Sequence, residues 1–312
     1  MKIAIACKYF SPRVGAKTFL FNFVDRRLAE DHRVTGMAMG LKGARDGVET
    51  REVSMPPVPK AFRDVVFARA AREVLREIDY DLSFGEQKCW GIDVVRPGGG
   101  VHLEYISQIV KSYPSAPMRL VRSLSKRLSL KERMNHYIER RLYASADLRC
   151  VIANSRLLRR HLIKHYPDLA DRVRVIYNGV DCERFHPGLG DRREQVLGEL
   201  RIPAEALVCS FVSYDLRRKG LPTVLRALGI LRQKSGGRAV HALVVGKRKG
   251  WAERLARRNG VEDRVEFLGP RDPREFYGAS DLFLLPSYFD PCANVTLEAL
   301  ACGLPVITSV HN

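Results

Sequence analysis

The chain has 312 residues, of which 46% are hydrophobic and 28% charged, enough for two ordinary soluble domains with their own cores. Lys and Arg number 53 against 35 Asp and Glu, a formal charge of +18, so the favoured partners are anionic: nucleotide phosphates, acidic lipid surfaces or nucleic acid. No apolar run reaches the roughly eighteen residues of a membrane-spanning helix, the N-terminus turns polar too early for a signal peptide, and seven scattered cysteines without metal-like spacing point to free thiols in a reducing cytosol.

Residues 2–7 read as a strand, 9–15 as the loop after it and 16–30 as an amphipathic helix. Gly15 stands where a doubly wound domain brings backbone close to a ligand, although a plain turn reads the same way. Strands follow at 33–39 and 48–55, a helix at 61–78 and a strand at 80–84, and this alternation predicts a parallel sheet. The run Gly98-Gly99-Gly100 lets backbone approach something closely, and His102 follows at once. On such a loop a histidine could bond a sugar hydroxyl or an acceptor, or it could sit exposed on a flexible turn.

Residues 112–141 carry dense positive charge. Apolar residues from Met118 to Ile138 recur mostly at helical spacing, and residues 112–141 also hold Arg119, Arg122, Lys126, Arg127 and four further cations, Lys131, Arg133, Arg140 and Arg141, against only Glu132 and Glu139. A basic amphipathic helix of this kind suits an anionic bilayer, since apolar side chains enter the interface and cations meet phosphates. On that reading Arg119, Arg122, Lys126 and Arg127 bind the membrane; the alternative is a core-facing helix with a solvated basic face. No RNA- or DNA-binding pattern and no aromatic stacking platform is visible, so nucleic acid is not an expected partner.

A strand at 149–155 leads into a helix capped at Asn154 or Ser155 and running to His165. A strand at 172–177 completes a first domain, 1–178; the turn Asn178-Gly179-Val180-Asp181 and a polar connector with a short helix open a second, 179–312. Its sheet begins at 206–213. Arg218 and Lys219 then precede a helix at 221–234, and two cations beside free amides make a clamp for a diphosphate. A basic surface turn would read alike. A strand at 239–245, a helix at 252–259, a strand at 265–268 and a short helix at 273–279 lead to a buried strand at 282–285. After a loop with Pro286 and Pro291 come a helix at 294–301, stopped by Gly303, and a strand at 305–308. Asp290 precedes this helix and Glu298 lies inside it. The amides of Ala293, Asn294 and Val295 are expected to be free and to favour a phosphate, leaving the carboxylates for sugar hydroxyls. A surface acid plus a helix-face acid is the bland alternative.

The segment from Asp290 resembles the acidic signature of retaining GT-B glycosyltransferases of family 4: two carboxylates with seven residues between them, then Ala301-Cys302-Gly303-Leu304-Pro305-Val306. The turn Asn178-Gly179-Val180-Asp181, completed by Phe185, matches the family's crossing from its first domain to its second. The resemblance implies an α/β fold of two Rossmann-like domains facing across a cleft, the first on the acceptor side and the second binding a nucleotide sugar. It puts Asp290 by the transferred sugar, Glu298 on the ribose hydroxyls, and Lys219 with Arg218 on the diphosphate, with no required metal or other cofactor. Four positions depart from the pattern: Asp290 replaces Glu, Pro291-Cys292-Ala293 replaces a glycine-rich loop, Ser213 stands at an upstream Arg, and Val14-Gly15 replaces Gly-Gly.

Residues 85–105 resemble the N-terminal half of the enzymes that add the first glucose to the lipopolysaccharide inner core, with Gly at an Asp position and His102 two residues on. His102, Asp290 and Lys219 are thus the candidate catalytic residues. The implied reaction moves glucose from UDP-glucose to a lipid-linked saccharide such as that core, on the cytoplasmic face of the inner membrane. Family members carry further elements past the position of Asn312, so a fragment is expected. The competing reading is a non-catalytic membrane-surface or nucleic-acid-binding protein on a decayed GT-B scaffold.

Overall fold

Apolar alternation along β1 (Lys2–Ala6) decides how the first sheet is layered. Ile3 and Ile5 pack to one side with Leu20, Phe21 and Val24 of α1 (Ala16–Ala29). Ala4 and Ala6 point the other way, into a core with Phe67, Ala68, Ala71 and Leu75 of α2 (Arg63–Arg76). The computed structural model describes residues 1–9, 16–40, 46–234 and 238–312. The chain divides into two units, Met1–Asn178 and Gly179–Asn312.

In the first unit the remaining elements are β2 (Arg33–Ala38), β3 (Val48–Glu52), β4 (Leu82–Gly85), β5 (Val94–Val95), α3 (His102–Lys111), α4 (Ala116–Leu128), α5 (Leu130–Tyr143), β6 (Cys150–Ala153), α6 (Arg156–His165) and β7 (Val173–Val175). The strands form one parallel sheet in the order β3-β2-β1-β4-β5-β6-β7. The second unit holds α7 (Arg193–Glu199), β8 (Leu207–Val212), α8 (Leu221–Gln233), β9 (Val240–Val245), α9 (Gly250–Arg258), β10 (Val265–Gly269), α10 (Arg274–Gly278), β11 (Leu282–Leu285), α11 (Asn294–Ala301) and β12 (Val306–Thr308). Its parallel sheet runs β10-β9-β8-β11-β12. Each unit is a doubly wound, Rossmann-like sheet with helices on its faces, as strands alternating with helices require.

Three parts of the first unit differ from the sequence expectation. The stretch around His102 is not a loop: His102 begins α3, and its amide donates to the Glu139 carboxylate of α5 at 3.0 Å. Residues 112–141 do not form one helix. At Ser129 the backbone is extended (ψ 116°), which ends α4 and starts α5. α5 sends Ile138, Leu142 and Tyr143 into the core, as the core-facing alternative requires, whereas α4 buries nothing. Finally, β5 is an unforeseen two-residue strand inside the sheet, paired with β4 and β6. Ser155, not Asn154, caps α6, accepting from the Leu158 amide at 3.1 Å. Gly15 lies outside the described residues.

Candidate functional site

In the second unit the turn after β8 is set by short hydrogen bonds. Ser213 Oγ accepts from the Asp215 amide at 2.9 Å, and the Asp215 carbonyl accepts from the Lys219 amide at 3.0 Å. Gly220 then adopts φ +89° at the start of α8, and a Cβ there would lie 2.0 Å from the Pro286 carbonyl oxygen. Only glycine lets this turn press so closely on the loop after β11. The Tyr288 amide donates to the Arg218 carbonyl at 2.8 Å, and Arg218 Nη1 donates to the Phe289 carbonyl at 2.9 Å.

This packing brings together residues about seventy positions apart in sequence. Lys219 Nζ is ion-paired with Asp290 Oδ2, and Arg218 Nη1 stands 3.8 Å from the same oxygen while its Nε bonds Asp215 at 3.0 Å. Lys219 is buried. Burial, and then the Arg218 charge, lower its pKa well below the ordinary value, while the charges of Asp215 and Cys292 work the other way. The Lys219 amino group, desolvated and held against Asp290, thus stands at the carboxyl end of a parallel sheet, where α/β folds bind ligands.

The start of α11 is not as free as its sequence suggests. The Ala293 amide donates to Asn312 Oδ1 at 3.0 Å, and Asn312 Nδ2 bonds Thr296 and Thr308 at 2.8 and 2.7 Å. Ala293 is therefore corrected from a ligand amide to a capped one. Asn294 and Val295 form the first turn of α11. Glu298, further along α11, accepts from the fully buried Tyr277 hydroxyl at 3.1 Å. Burial pushes its carboxyl pKa up, and the Tyr277 bond and the Arg184 charge oppose this. The helix pattern could not reveal Tyr277 or Asn312 as partners, because both lie outside α11.

In the first unit, Gly98, Gly99, Gly100 and His102 line a cavity of about 350 Å³ with Lys8, Asp64, Gln87 and Lys88. Of the three glycines only Gly100 has positive φ, at +81°, and so requires the residue type. His102 is buried, and its Nε2 is 3.0 Å from Glu132 Oε2 without hydrogen-bond geometry. Burial, then the Lys88 charge, hold its pKa down at about 4, so it is a neutral ring rather than an exposed loop base.

On α4, Arg119 and Arg122 are turned toward Tyr113: Arg119 Nε donates to its carbonyl at 2.8 Å and Arg122 lies 5.0 Å from its ring. Lys126 is half-buried and ion-paired with Glu132, which removes it from the outward basic face; Arg127 is exposed. Met118, Leu120, Val121, Leu124 and Leu128 are all exposed, from 46% to 81%. Among the described residues no helix is long and apolar enough to cross a membrane, and no three His, Cys, Asp or Glu side chains are grouped to hold a metal ion.

Two Rossmann-like parallel-sheet units with a cationic corner in the second define the GT-B class of glycosyltransferase folds. The structure of WaaG, a glycosyltransferase involved in lipopolysaccharide biosynthesis, superposes with a TM-score of 0.79 over 99% of this chain and 81% of that one, at 22% identity. HepE of Anabaena, solved with UDP and glucose, gives 0.66 over 99% and 80%, also at 22%. At such identity these are likenesses of fold. The chain itself belongs to glycosyltransferase family 4, whose model matches residues 14–184, and the model for glycosyl transferases group 1 matches residues 206–312. A D-inositol 3-phosphate glycosyltransferase of Corynebacterium aurimucosum is 32% identical over 180 residues, 55% of this chain and 42% of that protein. Its namesake in Salinispora tropica is 37% identical over 186 residues, 55% and 38%. The chain thus spans less than half the length of these curated relatives.

Proposed function

We propose that this chain is the catalytic body of a retaining transferase that moves a hexosyl group, glucose, from a nucleotide sugar such as UDP-glucose to a saccharide acceptor. The second unit takes the donor. The observation that carries this reading is the packing of Arg218 and Lys219 against the loop that presents Asp290 and opens α11. A desolvated ammonium and a guanidinium beside a helix start stabilise the negative charge that grows on a departing diphosphate. Asp290 sits on a loop and is replaceable: when a phosphate takes Lys219, its carboxylate is released to the hydroxyls of the sugar. Glu298, oriented by Tyr277, takes the ribose. Two protein cations supply the charge that a metal ion would otherwise provide, so the reading requires no metal. HepE, whose fold this chain shares, is seen with UDP and glucose, which supports the donor class.

The acceptor in this reading is lipid-linked, and α4 holds the protein peripherally on the cytoplasmic face of the inner membrane. Its exposed apolar side chains with Arg119, Arg122 and Arg127 nearby suit an anionic interface. Titration calorimetry of the full-length protein with UDP-glucose tests the donor assignment. Binding that Lys219→Ala abolishes is the expected result, and absence of nucleotide binding would overturn the reading in favour of a non-catalytic surface protein.

A further inference from the structure

The cavity of the first unit, about 350 Å³, falls within the size range of small-ligand sites. Its walls carry two lysines, and both already hold carboxylates. Lys8 Nζ bonds Asp64 Oδ1 at 2.5 Å, and Lys88 Nζ bonds Glu139 Oε2 at 2.6 Å. A third feature that ordinarily seats an anion, the N-terminus of α3, is committed as well, because the same Glu139 carboxylate takes the His102 amide. Glu139 is fully buried. A phosphate arriving at Lys88 would leave that carboxylate without its counter-charge and away from water, a large penalty. Glu86 adds another carboxylate to the wall, and the buried His102 ring brings no positive charge near neutral pH.

What the described walls do offer is hydrogen-bonding capacity without net positive charge. An ammonium bonded to one carboxylate still has N–H donors to give. Gln87 Oε1 is buried with no hydrogen-bond partner among the described residues, and the Asn135 carboxamide lines the same space. Tyr105 and Ile138 contribute an apolar strip. Donors and acceptors round an apolar strip match a sugar or cyclitol ring, which has hydroxyls at its rim and C–H bonds across its face.

We infer that this cavity receives the neutral, polyhydroxylated ring of the acceptor and discriminates against a ring that bears a phosphate. The word acceptor rests on the transferase reading above; the chemistry of the cavity stands apart from it. This selectivity is opposite to what the names of the curated relatives suggest, since those name a phosphorylated inositol.

Binding to the full chain is measured by ligand-observed NMR with three probes: myo-inositol, methyl α-D-glucopyranoside and inositol 3-phosphate. The neutral probes are expected to bind, and the phosphorylated one at least about tenfold more weakly. Asp64→Asn releases Lys8 and should strengthen inositol 3-phosphate about tenfold, whereas Gln87→Leu should weaken the neutral probes about fivefold by removing one hydrogen bond. Thermal melting of both variants shows that they are folded. Tighter binding of inositol 3-phosphate than of inositol by the unmodified protein overturns the inference, as does unchanged neutral-probe binding in Gln87→Leu. Calorimetry with UDP-glucose separates the two claims. Donor binding without ring binding sinks the cavity assignment alone; ring binding without donor binding upholds it and sinks the transferase reading.

Discussion

Two helix starts in this chain are satisfied by opposite means. At α3 the first amide goes to a carboxylate, Glu139; at α11 the Ala293 amide goes to a carboxamide, Asn312. A helix N-terminus carries about half a positive elementary charge. A carboxylate cancels it, while a carboxamide satisfies the donor and leaves the field standing. A lysine stands near each, Lys88 against Glu139 and Lys219 against Asp290. Glu139 is locked in the core, whereas the Asp290 side chain keeps 15% of its surface in water on a loop. At the first end the carboxylate is buried, and at the other Lys219 stands behind one partly exposed carboxylate, while Arg218 is shared with Asp215. On the proposed reading, similar residue types would give different ligand preferences because the cap, not the lysine, sets the local charge.

The comparison breaks first at Lys219. Lys219→Ala should lower turnover by about 10²–10³-fold, as loss of a preorganised charge at a transition state does; assays of UDP release from UDP-glucose would show it, and unchanged turnover would remove the donor corner. Glu139→Ala comes next. It removes one partner of a buried pair and the α3 cap together, and should cost about 3 kcal/mol in urea unfolding. Asn312→Asp sharpens the contrast by giving α11 the kind of cap that α3 has: UDP-glucose binding should weaken about tenfold by calorimetry while the fold holds.

A pH titration probes the surroundings of α3, together with the other histidines whose pKa is lowered by burial, His136, His161 and His241. The His102 pKa is about 4 in the folded chain against an ordinary 6.5, so the neutral ring is favoured by folding. Its contribution is complete above pH 6.5 and is lost as pH falls toward 4, because the unfolded chain then binds the extra proton. Glu132 beside it, with its pKa lowered chiefly by the Lys126 bond against the opposing effect of burial, loses its share below its ordinary 4.5. Urea midpoints should therefore fall between pH 6.5 and 4, and His102→Asn should flatten that slope. The smallest effect is expected on α4. Leu120→Ser with Leu124→Ser should leave stability within about 0.5 kcal/mol, since neither side chain is buried. The same pair should abolish flotation with anionic liposomes; retained flotation would take α4 out of the membrane account.

The alternation of strands and helices, the parallel sheets and the α11 boundaries were all legible in the sequence, because each is written in nearby residues. Leu282–Leu285 is an apolar run, Gly303 ends the helix that follows, and Gly220 lies where its turn needs positive φ. What escaped was written elsewhere in the chain. α3 follows three glycines and Val101, without a side-chain cap of its own, and its cap comes from Glu139, 37 residues away. β5 is too short to show a period and exists by pairing with β4 and β6. The break between α4 and α5 did leave a local trace: Ser129 followed three residues later by Glu132 is a helix-start pattern. Apolar spacing that continues across it hid the break. At the corner after β8, Arg218, Lys219 and Asp290 could be named from their local motifs, but the ion pair joining two of them depends on how the β8 and β11 loops meet.

The wet apolar face of α4 has a practical consequence for handling the protein. In dilute buffer the excess of positive charge keeps copies apart by mutual repulsion. Added salt shortens the reach of that repulsion, to about 3 Å at 1 M, while leaving the leucines as greasy as before. The purified chain should therefore cluster as ionic strength rises, and light scattering over a salt series would show the onset.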